Sequence, residues 1–157
     1  MLSSRLIRFI SDHWEQIAAR VLRQIRADPN LVELRRLPEG ELRERAREIL
    51  QNLDEWLLCP EEELAERYEA LGRRRFEEGI PLHEVVYSLQ LTRENMIQYL
   101  RDQALPETPL DLYAEEELDR GSDRIYARMV YYVIRGYERA MREAWAPARA
   151  GRAGRVH

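Results

Sequence analysis

The sequence predicts an all-α fold, on three observations. Apolar residues recur at three- and four-residue steps along most of the chain, the spacing of one buried helix face. Charged residues make up 34% and apolar ones 45%, the balance of a globular rather than a disordered chain. Seven glycines in 157 residues are too few for a turn-rich β architecture. A chain of this length forms one domain and buries about two-thirds of the surface it exposes when unfolded, with no metal or disulfide required.

The first helix is expected from Ser3 or Ser4, either a competent cap, to about Ala27, where Asp28-Pro29 stops it. Its stripe is Leu6, Ile10, Trp14, Ile17, Val21, Leu22 and Ile25. A polar connection through Asn30 and Arg35 leads to Pro38, which suits a first helical turn. The second helix then carries Leu42, Ala46, Ile49, Leu50, Leu53 and Leu57 as far as Cys59-Pro60, where the residue before proline leaves helical geometry. A third opens with Pro60 and the acids Glu61, Glu62 and Glu63, turns Leu64, Tyr68, Leu71 and Gly72 inward, and ends at Gly79 as a left-handed C-cap. Pro81 starts the fourth, which buries Leu82, Val85, Val86, Leu89, Met96, Ile97 and Leu100 before Leu105-Pro106 breaks it.

Thr108-Pro109-Leu110-Asp111 is an N-terminal signature for a fifth helix, with threonine as cap and an acid three residues later. That helix is expected to reach about Trp145, and Gly121-Ser122 is a place for it to kink or split. From Ile125 its apolar face exceeds one stripe, so one side serves the subunit and the other a partner. Ile125, Met129, Tyr132, Val133 and Tyr137 are therefore the candidate dimer interface. Residues 1–145 make the domain, and residues 146–157 form an Arg/Ala/Gly tail expected to be disordered. The chain shows no internal repeat.

All 25 basic residues are arginine, which reads as codon bias rather than a need for guanidinium at every site. Residues 1–145 carry 22 arginines against 29 acids, a balance of −7, while residues 146–157 carry +3. An acidic body argues against a nucleic-acid binder. The longest apolar run, residues 129–134, is six residues, far short of the ~20 that span a bilayer. Arg8 and Asp12 interrupt any signal-peptide core, and the single Cys59 excludes an intramolecular disulfide. A cytoplasmic protein is expected.

Little in the sequence supports catalysis. A di-metal centre in a bundle needs Glu-x-x-His pairs, and Ile10 and Ile80 stand where His13 and His83 would need glutamates. There is no His-Glu-x-x-His and no paired cysteine, and the Glu61–Glu63 and Glu115–Glu117 runs read as solvated helix faces. Cys59 reads as a packed thiol, and the GRAGR of the tail follows no strand and so is no phosphate loop. Tyr126, Tyr131, Tyr132 and Tyr137 are read as core and interface residues ahead of a ligand pocket lined with phenols. His83 reads as a surface or capping residue, and Trp14 and Trp56 as core anchors.

Leu71–Leu89, LGRRRFEEGIPLHEVVYSL, together with SDRIYARMVYYVIRGYER near the end of the last helix, resembles the N-terminal sensory domain of the RsbRD type. That domain occurs in co-antagonist proteins of bacterial stress signalling, and the similarity covers residues 1 to about 143. The same corner is similar to sensor globins: Gly72, Gly79, Ile80 and Pro81 fall in register, and the family's haem-ligating histidine falls on Arg75. Arginine stays protonated and is not a neutral axial ligand, and His83 lies beyond the corner. The resemblance implies a globin-like sensor domain of five to six helices that has lost haem and holds no cofactor, although only three helices precede the corner. The alternative architecture is a plain helical bundle. The resemblance further implies a homodimer that pairs its last helices and signals to a separate protein or responds to a small ligand, with no attached output domain expected. The alternative function is a ligand or haem carrier using His13 or His83.

Overall fold

Three prolines set where helices begin. Pro38, Pro60 and Pro81 each occupy an N-cap position, with φ of −56°, −57° and −59° and ψ of 145°, 149° and 142°. The ring holds φ near this value, and proline has no N–H to leave unbonded at a helix start. The computed structural model describes residues 2–53, 55, 59–103 and 108–153, and among these the regular structure is entirely helical. The helices are α1 (Leu2–Asp12), α2 (Trp14–Ala27), α3 (Val32–Arg36), α4 (Glu39–Leu50), α5 (Glu61–Glu77), α6 (Leu82–Asp102) and α7 (Pro109–Ala153). Trp56, Leu57 and the Leu105-Pro106 break lie outside the described residues.

The class is all-α. The second expected helix ends at Leu50, with Gln51 as its C-cap, rather than running to Cys59-Pro60, and three further departures separate the structure from the pattern-based expectation. The first helix divides at His13, whose φ of −110° and ψ of 21° leave the helical region. The His13 Nδ1–H donates to the carbonyl of Phe9 at 2.8 Å, and the ring stacks on that of Phe9 at 4.0 Å, so a side chain competes for the helix's own acceptor. The connection expected through Asn30 and Arg35 contains the short helix α3. Its first turn is held from another helix: the Glu33 N–H donates to both carboxylate oxygens of Glu84, at 3.1 and 3.3 Å. Glu84 is buried, and this bond gives its charge a partner.

The third departure is the length of α7. It runs 45 residues without a break at Gly121, about 68 Å at 1.5 Å per residue, and continues through the segment expected to be a disordered tail as far as Ala153. Thr108 caps its start, accepting the Asp111 N–H at 3.1 Å. Alanine and arginine in this segment favour the helix, while Pro147 and Gly151 oppose it.

α7 serves as a spine with three partners, α1, α5 and α6. Its first half runs antiparallel to α6, tied by Arg93 to Asp119 at 2.7 Å and Arg101 to Glu115 at 3.2 Å. Its second half runs parallel to α5: the Tyr132 hydroxyl donates to Glu61 at 2.6 Å, Arg139 reaches Glu69 at 3.1 Å and Arg73 reaches Glu143 at 2.8 Å. α6 is enclosed on a second side by α2, where the Asn95 amide donates to Gln24 at 3.0 Å. Leu91, Thr92, Asn95 and Tyr99 are therefore buried along with Val85, Leu89, Met96, Ile97 and Leu100 of the stripe read from the sequence, whereas Leu82 and Val86 are half-buried.

At the α5–α7 crossing the backbones touch. A Cβ added at Gly72 would lie far inside contact with the Val133 carbonyl and 2.8 Å from the Tyr137 nitrogen; one added at Gly136 would meet the Glu69 carbonyl and lie 2.6 Å from Glu69 Cα. Neither neighbour is a side chain that can swing away. Gly72→Ala and Gly136→Ala are each expected to lower stability in urea denaturation by about 3 kcal/mol, because the helices must part. Gly40→Ala, with nothing within 4 Å of the added methyl, is expected to be neutral or to stabilise by about 0.5–1 kcal/mol.

Candidate functional site

The corner between α5 and α6 is closed by backbone bonds and then fastened to α7. Gly79 has φ of +76°, in the left-handed region open to glycine. This lets the Ile80 N–H return to the Arg75 carbonyl at 3.1 Å and the Gly79 N–H to Phe76 at 2.9 Å, ending α5. Pro81 then starts α6. The Ile80 carbonyl accepts the Tyr137 hydroxyl at 2.8 Å, and Phe76 meets the Tyr137 ring edge-to-face at 5.4 Å. Gly72, Gly79 and Pro81 thus act on the backbone, while Arg75 carries the side-chain chemistry of the corner.

Arg75 is buried, at 8% exposure. Its Nη1 donates to Glu78 at 3.1 Å, and its Nη2 lies 3.8 Å from Glu48. Arg45, from α4, pairs with the other oxygen of Glu78 and lies 3.9 Å from Glu41, while Arg74 draws Glu48 outward at 3.2 Å. Burial brings the Arg75 pKa down to about 10, and the Arg45 charge adds to this against the pull of Glu78 and Glu48. The two arginines line a cavity of about 30 Å³ between α2, α3, α4, α5 and α6, with Ser88, Thr92 and apolar side chains completing the wall.

That space holds a few water-sized groups, whereas a drug-sized ligand takes roughly 300–1,000 Å³. A haem does not fit it, and the residue at the corner is a charged guanidinium rather than a neutral donor. His83 is exposed on the first turn of α6, and His13 is engaged with Phe9 at the α1–α2 break. Neither lines the cavity.

The five residues expected at a dimer interface are used within the chain. Ile125, Met129, Tyr132 and Val133 are buried, and Tyr137 is half-buried with its hydroxyl on Ile80. The face is wide because α5 covers one side of it. The outer side of α7 carries Tyr131, Met141 and Trp145, all exposed, with half-buried Ile134 and Glu138 between them. Their numbers advance by three and four residues alternately, the spacing of a helix–helix seam.

The remaining candidates are structural. The phenols of Tyr126, Tyr132 and Tyr137 bond Val86, Glu61 and Ile80, so they tie helices together rather than converge on a pocket. Burial, with Glu63 3.5 Å away, pushes the Cys59 thiol up, the direction of an unreactive cysteine. Within the glutamate runs, Glu61 pairs with Arg128 and Glu115 with Arg101, while Glu62, Glu63, Glu116 and Glu117 face solvent as expected of such runs. Among the described residues no group of three or more His, Cys, Asp or Glu is placed to hold a metal ion. Arg45, Glu78, Glu84 and Gly136 did not stand out in the sequence. Of these only Gly136 carried a local signal, as a glycine inside a strongly helical pattern.

One family model, described as the RsbT co-antagonist protein rsbRD N-terminal domain, matches residues 15–152. The matched span holds the corner, the α5–α7 crossing and most of the last helix. No curated protein and no solved structure matches the chain.

Arg75 has a consequence at high pH. Its folded pKa near 10 lies below the ordinary 12.5, so between these values the folded chain has released a proton that the unfolded chain keeps, and stability gains with rising pH. Tyr126, raised by burial to about 12, acts in the opposite sense: its contribution is complete below pH 10 and lost as pH rises through 12. Arg75→Met removes the favourable contribution. Its urea midpoint is expected to fall more steeply than that of the wild type between about pH 10 and 12, and parallel curves would show that Arg75 keeps its proton.

Proposed function

The chain belongs to the RsbT co-antagonist protein rsbRD N-terminal domain family, and from that membership we propose a non-enzymatic sensory and regulatory module of bacterial stress signalling. The match over residues 15–152 carries this reading, because it takes in nearly all the described helices. The chemistry of the interior agrees. Arg75 pairs with Glu78 at the end of its own helix and Arg45 of α4 with the same carboxylate, and a small cavity and an arginine stand where a haem carrier would need room and a histidine. We also read the α5–corner–α6 arrangement as related to globins, on the register of Gly72, Gly79, Ile80 and Pro81.

The module acts as a homodimer on a separate signalling protein, in the cytoplasm. No described helix is long and apolar enough to cross a membrane. The dimer seam is the outer stripe of α7, Tyr131, Ile134, Met141 and Trp145, rather than the enclosed face expected from the sequence. Because α7 is one helix from Pro109 to Ala153, a change in how its first half sits on α6 alters how its outer stripe meets a partner.

Two measurements test this. In analytical ultracentrifugation the wild type is expected to sediment as a dimer, and the double variant Tyr131→Glu, Met141→Glu as a folded monomer with an unchanged helical spectrum. A wild-type monomer at high concentration removes the dimeric part. In the source organism, the same variant is expected to change the transcriptional response to stress, and an unaltered response contradicts the regulatory role.

A further inference from the structure

Arg45 is held in an arrangement that its neighbours do not complete. Its Nη2 meets Glu78 and, more distantly, Glu41, but its Nε and Nη1 are buried and meet no hydrogen-bond acceptor among the described residues. Glu78 is also the close partner of Arg75, and Glu48, at 3.8 Å from Arg75, is nearer to Arg74. Two inward guanidiniums therefore share one close carboxylate, and both line the same cavity. Buried N–H groups of a cation call for an acceptor, and an anionic oxygen is the strongest.

The rest of the wall differs in kind. The Ser88 hydroxyl donates to the Val85 carbonyl at 2.7 Å and the Thr92 hydroxyl to the Ser88 carbonyl at 2.9 Å. With their hydrogens committed, both oxygens offer only lone pairs. The remaining lining is apolar: Val21, Ile25, Leu34, Leu42, Ile49 and Leu89 among it. A volume of about 30 Å³ takes two or three water-sized groups. This excludes sulfate with its shell, phosphate esters and nucleotides.

We infer that this cavity binds a small planar monovalent oxyanion bearing one hydroxyl group, of the bicarbonate class. Its acceptor oxygens face Arg45 and Arg75, and its O–H donates to the wall formed by Ser88 and Thr92. Nitrate and formate match its charge and flatness but lack the hydroxyl, and chloride lacks both. The mutual repulsion of the two guanidiniums, which contributes to the lowered Arg75 pKa, is relieved when the anion enters. This site stands independently of the regulatory role, since it rests on the five helices that line it.

Thermal unfolding of the full chain at constant pH and ionic strength tests the assignment, with sodium bicarbonate compared against sodium nitrate, formate and chloride. At a concentration roughly tenfold above its dissociation constant, bicarbonate is expected to raise the midpoint by about 4 °C beyond the other salts. Arg45→Gln is expected to abolish the difference. Thr92→Ile, which fills the cavity and leaves both arginines in place, is expected to do the same and covers the case in which Arg45→Gln fails to fold. Saturation-transfer NMR with ¹³C-bicarbonate should detect exchange with the wild type and not with Thr92→Ile. Equal midpoints in all four salts mean that water alone occupies the cavity and overturn the inference. Equal shifts from nitrate and bicarbonate overturn the hydroxyl match, and a bicarbonate shift that persists in both variants places the binding elsewhere.

Discussion

The rest of the structure depends on how closely the backbones of α5 and α7 approach at Gly72 and Gly136. With no Cβ on either residue, Val133 and Glu69 offer their carbonyls directly to the neighbouring helix. Side chains on both flanks then close over the crossing. Met129 and Val133 are sealed, Phe76 and Tyr137 meet edge to face, and Glu69 is straddled by Arg135 and Arg139. These ion pairs are partly exposed and set register more than they add stability. The closeness fixes the direction of α7, and so fixes where its first half meets α6.

From that crossing the corner inherits its position. The Tyr137 hydroxyl holds the Ile80 carbonyl, Ile80 closes the end of α5 through Arg75, and Arg75 points into the space between α4 and α6. α7 thus reaches the corner through Tyr137 and carries exposed Tyr131, Met141 and Trp145 on its outer side. Any ligand or partner that acts on either end acts on one rigid element. This continuity agrees with the regulatory reading that the family match carries.

Most of the helices were legible from periodicity, because a stripe of apolar residues reports burial whatever does the burying. The same fact bears on the expected interface. Ile125, Met129, Tyr132 and Val133 do face a neighbour, but periodicity cannot say whether that neighbour is a second copy or α5 of the same chain. Arg43, Arg45 and Arg47 look alike in sequence, and only the rotation of α4 turns Arg45 inward. The His13 break and α3 depend on side-chain bonds, to Phe9 and from Glu84, that no local pattern announces. Gly136 was visible as a glycine in a helix, but its meaning required knowing that Glu69 lies opposite.

Native-state hydrogen exchange along α5 and α7 addresses the coupling most directly. If the glycine crossing joins the two helices into one unit, the amides of Leu71–Arg75 and Met129–Tyr137 open with the same free energy, equal to that of global unfolding. Protection also continues unbroken through Gly121 into the half of α7 that packs on α6. Exchange of the Met129–Tyr137 amides through a separate, lower-energy opening, with α5 still protected, would contradict it.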